Sequence, residues 1–506
     1  MIDATPLLHL YARRRGHHLA ALDAAAAQQQ HLLRLLRRAR DTRFGHEHGF
    51  ARIVSVADFQ RQIPLRRYED FWRDYWQPAF PRLHNVSWPG VIPYFAATSG
   101  TTTGETKYLP VSRAMLASNR RAVLDVFTFH LAARPHSRVL GGRNFMLGGS
   151  TDLTRHAPGI YSGDLSGIVA NEVPWWARRR YFPPRALALT ADWDRKIELL
   201  AHASLRQDIR TISGTPSWIL PFFARLAELR PTLPRSSTSW YPHLELYIHG
   251  GVNYAPYRTQ FDALLSRDVD QREVYPASEG FIAIADRGYD EGLRLLTDNG
   301  LFFEFVPVED IDAPEPIRHW LGTIETGVNY AVVLSSNAGL FGYVLGDTVR
   351  FIDRHPPRLL ITGRLSYMLS AFGEHLIGEE IDQAMLQAAT AIGAAVAEYT
   401  VSPVFPATPE ERGGHYFIVE FAKPVPEALT KFAGALDTAL ATQNADYAAH
   451  RAMLRPPTVV SVPPGSFALW MRHRGRLGGQ NKVPRVVADP VLAGELKTFL
   501  IGNGHA

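Results

Sequence analysis

The sequence predicts an α/β fold in two parts: a large N-terminal domain of mixed sheets with flanking helices, and a small, mobile α+β C-terminal domain. Three observations carry this. Short apolar runs that read as strands alternate with helical patterns as far as residue 363. Polar or glycine-rich turns recur at four strand ends, at residues 98, 250, 277 and 346, the place where α/β folds hold ligands. After Arg364 the texture changes to a long amphipathic helix, an alternating strand, another helix and a short strand. The domains are therefore set at residues 1–363 and 364–506, with Gly363-Arg364 as the hinge. A chain of 506 residues has room for two or three domains at roughly 150 residues each.

The composition narrows the class. Hydrophobic residues at 46% and charged residues at 20% suit a water-soluble globular protein. The chain has no cysteine, which excludes disulfides, thiolate metal sites and a cysteine nucleophile. No run approaches the ~18 apolar residues of a membrane span. The start, Met1-Ile-Asp-Ala-Thr-Pro6, lacks the basic and apolar regions of a signal peptide. The expected compartment is the cytoplasm, with no membrane partner. Net charge is +5. The densest basic run, Arg34 to Arg40, is interleaved with leucines and reads as one helix face, so no nucleic-acid partner is expected.

In chain order, residues 7–42 read as helical and Thr42 to Phe50 as a loop. Its His46 and His48 lack a third metal ligand nearby. Val56 and Tyr68 open short helices. Val91 to Ala97 is a buried strand. It leads into Thr98-Ser-Gly-Thr-Thr-Thr-Gly-Glu-Thr-Lys107, in which every residue except Glu105 is Ser, Thr, Gly or Lys. Ser112 then caps a helix from Arg113 to about Ala132. Leu116, Val123, Leu124, Phe127 and Leu131 recur on it at helical spacing, as core packing or as one wall of a pocket. Strands follow around Gly141–Gly149, Thr211–Trp218, Leu244–Gly251, Glu273–Gly280, Leu301–Val306, Asn329–Leu334 and Phe341–Asp347. Beyond the hinge, Glu379–Ala397 is helix, Tyr416–Phe421 strand, Pro426–Ala441 helix and Val459–Val462 strand.

The loop at 98–107 carries the chemistry. Gly100 and Gly104 allow close backbone approach, and hydroxyls and free N–H groups can surround an anionic oxygen. Lys107 adds a positive charge. The spacing is not that of the Walker loop, and the physical reading is a different loop that wraps a polyphosphate.

Further stretches agree with it in type and order. Tyr275-Pro-Ala-Ser-Glu279 and Tyr343-Val-Leu-Gly-Asp347 resemble two motifs of adenylate-forming enzymes, and Gly363-Arg364 resembles the pair before their hinge. The Gly-Glu-x-Lys ending of the loop, Ser278-Glu279 and the tail Asn481-Lys-Val-Pro-Arg485 resemble the GH3 family of acyl acid–amido synthetases. So do Asp41-Thr-Arg-Phe-Gly45, His48-Gly-Phe50, Val56-Ala-Asp-Phe59 and Pro64-Leu-Arg-Arg-Tyr-Glu-Asp70. The resemblance spans about residues 30 to 486.

The resemblance implies an ATP- and Mg²⁺-dependent ligase. It would adenylate a small-molecule carboxylic acid, release pyrophosphate and pass the acyl group to an amine, that of an amino acid being the expected one, while the C-terminal domain swings between the two steps. Carried over by position, Ser99, Gly100, Thr101, Thr102, Thr103 and Gly104 would hold phosphates and Lys107 would support the loop. Tyr275 would stack on adenine, and Gly250 and Gly251 would let backbone approach the base. Ser278 belongs to the same nucleotide-binding set. Glu279 would bind Mg²⁺, Asp347 the ribose hydroxyls and Arg364 ribose or phosphate. Lys482 would stabilise charge at the α-phosphate. Val123, Val126 and Trp218 are the expected acyl pocket, suited to an apolar or aromatic acid. His249 is open between orienting a substrate, acting as a base and packing at a strand end. The alternatives are a thioester-forming acyl-CoA ligase and a non-catalytic binder on the same fold. The acid, the amine and the oligomeric state are not written in the sequence.

Overall fold

The computed structural model describes residues 2–99, 106–148, 152–174, 177–190, 193–251, 254, 257–288, 291–365, 369, 376–404, 412–425, 428–444, 447–448, 451, 454–475, 482–487 and 489–502. They form two compact units. The first comprises Met1–Leu345 and Arg350–Leu360, and the second Gly346–Val349 and Ile361–Ala506. The division falls three residues before the expected Gly363-Arg364 hinge, and a short piece of an earlier strand goes with the second unit.

A twelve-stranded mixed sheet dominates. Its strands Leu246–Gly250 and Asp270–Ala277 pair in parallel, and Leu246–Gly250 also pairs in parallel with Ile209–Gly214. The other half is antiparallel, with Leu301–Pro307 against Asn329–Ser336 in unbroken register. All seven residues of Leu301–Pro307 are buried, which explains its imperfect alternation. Even Glu304 lies inside, matched by the Arg318 guanidinium at 2.8 Å, as a buried carboxylate requires. Helix Pro216–Leu229 covers the parallel half, with Ile219, Phe222, Phe223 and Leu226 packed among Phe145, Ile212 and Tyr247.

Helix Arg113–Ala133 begins as expected, with Ser112 Oγ accepting the Met115 N–H at 3.0 Å. Three local expectations change. The segment after the polar loop is not merely a lead-in to this helix. Thr106–Val111 is a strand antiparallel to Tyr94–Ser99, so the two flanks of the loop pair as a hairpin. The stretch expected as a loop at 42–50 holds a short helix, Arg43–Glu47, capped by Thr42. In the second unit, helix Gly378–Ala391 stops six residues early. Gly393 takes a positive φ of 66°, the usual stop signal, and Val396–Val404 becomes an edge strand beside Gly414–Phe421, with Thr458–Val462 completing the sheet. Helix Leu429–Gln443 packs its Phe432, Leu436 and Leu440 into that unit's own core.

Candidate active site

Residues 100–105 lie outside the described residues, and with them Gly100, Thr101, Thr102, Thr103 and Gly104. The base of their hairpin is described: Ser99 is paired with Thr106 and Thr98 with Lys107. Lys107 Nζ reaches Glu69 Oε1 at 2.7 Å and lies 4.9 Å from the centroid of the Tyr68 ring. The Tyr68 hydroxyl in turn accepts the Tyr108 N–H at 2.8 Å. Burial pushes the Glu69 carboxyl up, but the bond to Lys107, a backbone hydrogen bond and the charges of Lys107 and Arg67 together outweigh it and hold the group below its ordinary pKa. The lysine is thus tied down at the root of the loop by a pair of residues from the short helix Tyr68–Phe71.

Ser278 and Glu279 form the two-residue turn between Asp270–Ala277 and Gly280–Ile284. Glu279 is buried and takes the hydroxyl of Tyr343 as a hydrogen-bond donor. Burial, and then the Glu279 charge and hydrogen bond, keep that phenol well above its usual pKa, with Glu69 and Tyr68 adding smaller pushes. The second and third motifs therefore meet through Tyr343 and Glu279, within the electrostatic reach of the hairpin root. Tyr275 is buried on the strand that feeds this turn.

Gly250 ends its strand against Val274, where a Cβ would stand 2.1 Å from the Val274 carbonyl oxygen. Sheet packing alone forbids a side chain there. Gly251 has φ +82°, and a Cβ there would meet only Thr215 Oγ1, at an ordinary contact distance of 3.8 Å. His249 packs against its neighbours at the strand end. It is buried, stacks on Tyr254 at 3.8 Å between ring centroids, and burial pulls its pKa down to about 3.

Two of the three expected acyl-pocket residues belong to hydrophobic clusters of the first unit. Val126 is enclosed with Leu19, Phe129 and Val274, and Val123 packs toward Leu8, Phe127 and Leu246. Both fill the seam between helix Thr5–Ala21 and the sheet, so core packing accounts for them. Trp218, in the first turn of its helix, is half-buried at the edge of the core over the parallel strands.

In the second unit, Arg364 Nε donates to Asp347 Oδ1 at 2.7 Å. Lys482, far away in sequence, joins their field. Burial of its ammonium, then the Arg364 guanidinium, pull its pKa down to about 8, and Asp347 opposes them. The residue as a whole is exposed, so the crowding acts at the ammonium end. Glu69 and Tyr68 are site residues that had no role assigned from sequence, and Tyr343 entered only as the first residue of its motif; these three are the additions. The signal for the first two was their place in the stretch Pro64–Asp70, which shares the family resemblance.

The chain matches the GH3 family N-terminal domain over residues 17–147, the GH3 family central domain over 294–364 and the GH3 family C-terminal domain over 379–491. It is 30% identical over 254 residues to a rice protein (Oryza sativa subsp. japonica) named "Probable indole-3-acetic acid-amido synthetase GH3.9". That match covers 45% of this chain and 56% of the relative, little more than half its length. It is 22% identical over 418 residues to a jasmonoyl–L-amino acid synthetase, JAR4, of Nicotiana attenuata, covering 69% of this chain and 70% of that one. The solved GH3.15 acyl acid amido synthetase, in complex with 2,4-DB, superposes with a TM-score of 0.78 over 99% of this chain and 97% of its own, at 16% identity.

Proposed function

This chain belongs to the GH3 family, and from that membership we propose that it is an ATP-dependent acid–amino-acid ligase. It activates a carboxylic acid as its acyl-adenylate, releasing pyrophosphate, and then forms an amide with the amine of an amino acid. The observation that carries this reading is the convergence of separate motifs. Tyr343 joins the third motif to Glu279 of the second, and Lys482 of the tail shares one charge cluster with Asp347 and Arg364.

The residues suit this chemistry. The Asp347 carboxylate can accept both ribose hydroxyls of ATP while the bond from Arg364 orients it. Lys482, mostly protonated at pH 7, supplies a cation where charge grows on the α-phosphate during attack by the acid. Glu279 is a single buried carboxylate, and among the described residues no group of three carboxylates or histidines could hold a metal. That fits Mg²⁺, which takes few protein ligands and many from phosphate and water. When bound it neutralises phosphate charge. Tyr343 fixes the Glu279 carboxylate for that role, and Glu69 and Tyr68 hold Lys107 at the root of the phosphate loop.

The test is pyrophosphate release over a panel of carboxylic acids, alone and with each amino acid, with products identified by mass. Acid-dependent pyrophosphate and an amide product are expected. A thioester formed with coenzyme A, or no pyrophosphate with any acid, would sink the proposal.

A further inference from the structure

A cavity of about 570 Å³ opens away from the motifs. It lies among helix Thr5–Ala21, helix Ala24–Ala39, one flank of helix Arg113–Ala133 and the turn before strand Leu301–Pro307, all in the first unit. Among the described residues, none of the phosphate loop, the Tyr275–Glu279 motif or the Tyr343–Asp347 motif lines it.

Its wall is strongly basic. Arg14, Arg15, Arg34 and Arg121 line it, with His18, His31 and a single carboxylate, Asp298. That carboxylate is already engaged. Arg15 donates to both of its oxygens, at 2.6 and 2.9 Å, and His18 Nε2 stands 3.0 Å away. Behind it, the fully buried Asp125 takes the other edge of Arg15 in two bonds of 2.7 Å. Arg15 and the two aspartates thus satisfy one another. Arg14, Arg34 and Arg121 form no ion pair among the described residues. Arg121 is held in the wall by its Nε, which donates to Asn299 Oδ1 at 3.0 Å.

A second observation points into the same space. His31 is only 7% exposed, and its Nε2 has no hydrogen-bond partner. A buried polar atom left unpaired is costly and calls for an explanation.

We propose that this cavity binds a small organic phosphate, with its phosphate group taken by Arg14, Arg34 and Arg121 and its organic part lying against Leu22, Ala27 and Tyr11. Guanidinium forks match the oxygens of a phosphate. A monocarboxylate would leave most of the positive charge unanswered. The volume falls within the ~300–1,000 Å³ range of small-molecule sites and exceeds what a bare phosphate fills.

His31 explains itself in the same way. Burial, then Arg34 on its own helix and Arg121 on the neighbouring one, pull its pKa down to about 4, against a bond to the Gly300 backbone and the charge of Asp298. Tyr11, Arg14, Arg15 and His18 face the cavity from the first helix. A phosphate that neutralises these guanidinium groups removes their downward push on His31 and raises its pKa. Binding at mildly acidic pH therefore takes up protons.

The test is calorimetric titration of the full chain with phenyl phosphate, pyrophosphate and inorganic phosphate, in buffers of different ionisation enthalpy. Phenyl phosphate should bind saturably and more tightly than the two inorganic probes. Arg34→Gln and Arg14→Gln, both at exposed positions, should each weaken it at least tenfold with an unchanged thermal melt. His31→Gln should remove the His31 share of proton uptake. Unchanged affinity in both arginine variants, equal affinity for the inorganic probes, or unchanged proton uptake in His31→Gln would overturn the proposal. Since none of these readouts involves acid activation, failure here is separate from failure of the ligase reading.

Discussion

An ammonium crowded by a guanidinium releases its proton more readily than one in water, and Lys482 is such a group. With its pKa near 8, the cation is present at pH 7 and is lost as pH rises through about 8. Acid-dependent pyrophosphate release should fall along that limb, and Lys482→Arg should move the limb upward because a guanidinium does not titrate there. A wild-type profile flat to pH 9.5 would remove the cation from the step. Glu279 gives a second expectation. Glu279→Gln keeps the shape and removes the charge, so the Mg²⁺ needed for half-maximal rate should rise. Tyr343→Phe should move the same titration less, because it removes only the bond that orients the carboxylate, at about 1–3 kcal/mol for a buried polar group left unpaired. An unmoved Mg²⁺ curve in both variants would exclude this carboxylate as a ligand.

Strands and helices set where these residues can stand, and Gly250 shows how tightly. Gly250→Ala would drive a methyl group into the Val274 carbonyl oxygen, a backbone atom with no rotamer to retreat to. The cost should be at least about 1–3 kcal/mol, as for overpacked cores, read as a lower urea midpoint. Gly251→Ala meets no such neighbour and should cost less, through its positive φ alone. Most elements of this kind could be read from periodicity and caps, as with Ser112 and its helix. Thr106–Val111 could not: it is six residues long, contains Pro110 and owes its strand state to pairing with Tyr94–Ser99. Val396–Val404 was hidden because an alanine-rich helical pattern runs on past Gly393, and only the partner strand settles its state. The motif residues were legible because their order along the chain is itself the signal. Glu69 beneath Lys107 was not, because a contact between distant positions leaves no local pattern. Val123 and Val126 show a related gap: helical spacing says that they share a face, but not what covers it.

At the scale of the whole molecule, Asp347, Arg364 and Lys482 all belong to the second unit. Lys482→Ala should slow acyl-adenylate formation on the order of a hundredfold, the size of effect seen when a preorganised charge stabiliser is removed. It should leave amide formation from a supplied adenylate nearly unchanged, since that step expels no pyrophosphate. Single-turnover measurements of the two steps separate the outcomes, and equal losses in both would point to general damage. The make-up of the second unit also bears on how the protein can be taken apart. Gly346–Val349 is borrowed from the middle of strand Tyr343–Arg354, while the rest of the unit starts at Ile361. A gene fragment beginning at Ile361 would carry Arg364 and Lys482 away and leave Asp347 behind. The C-terminal module therefore cannot be grafted onto another protein as one uninterrupted cassette with its charge cluster whole, and a working transplant has to bring the Tyr343–Arg364 hairpin with it.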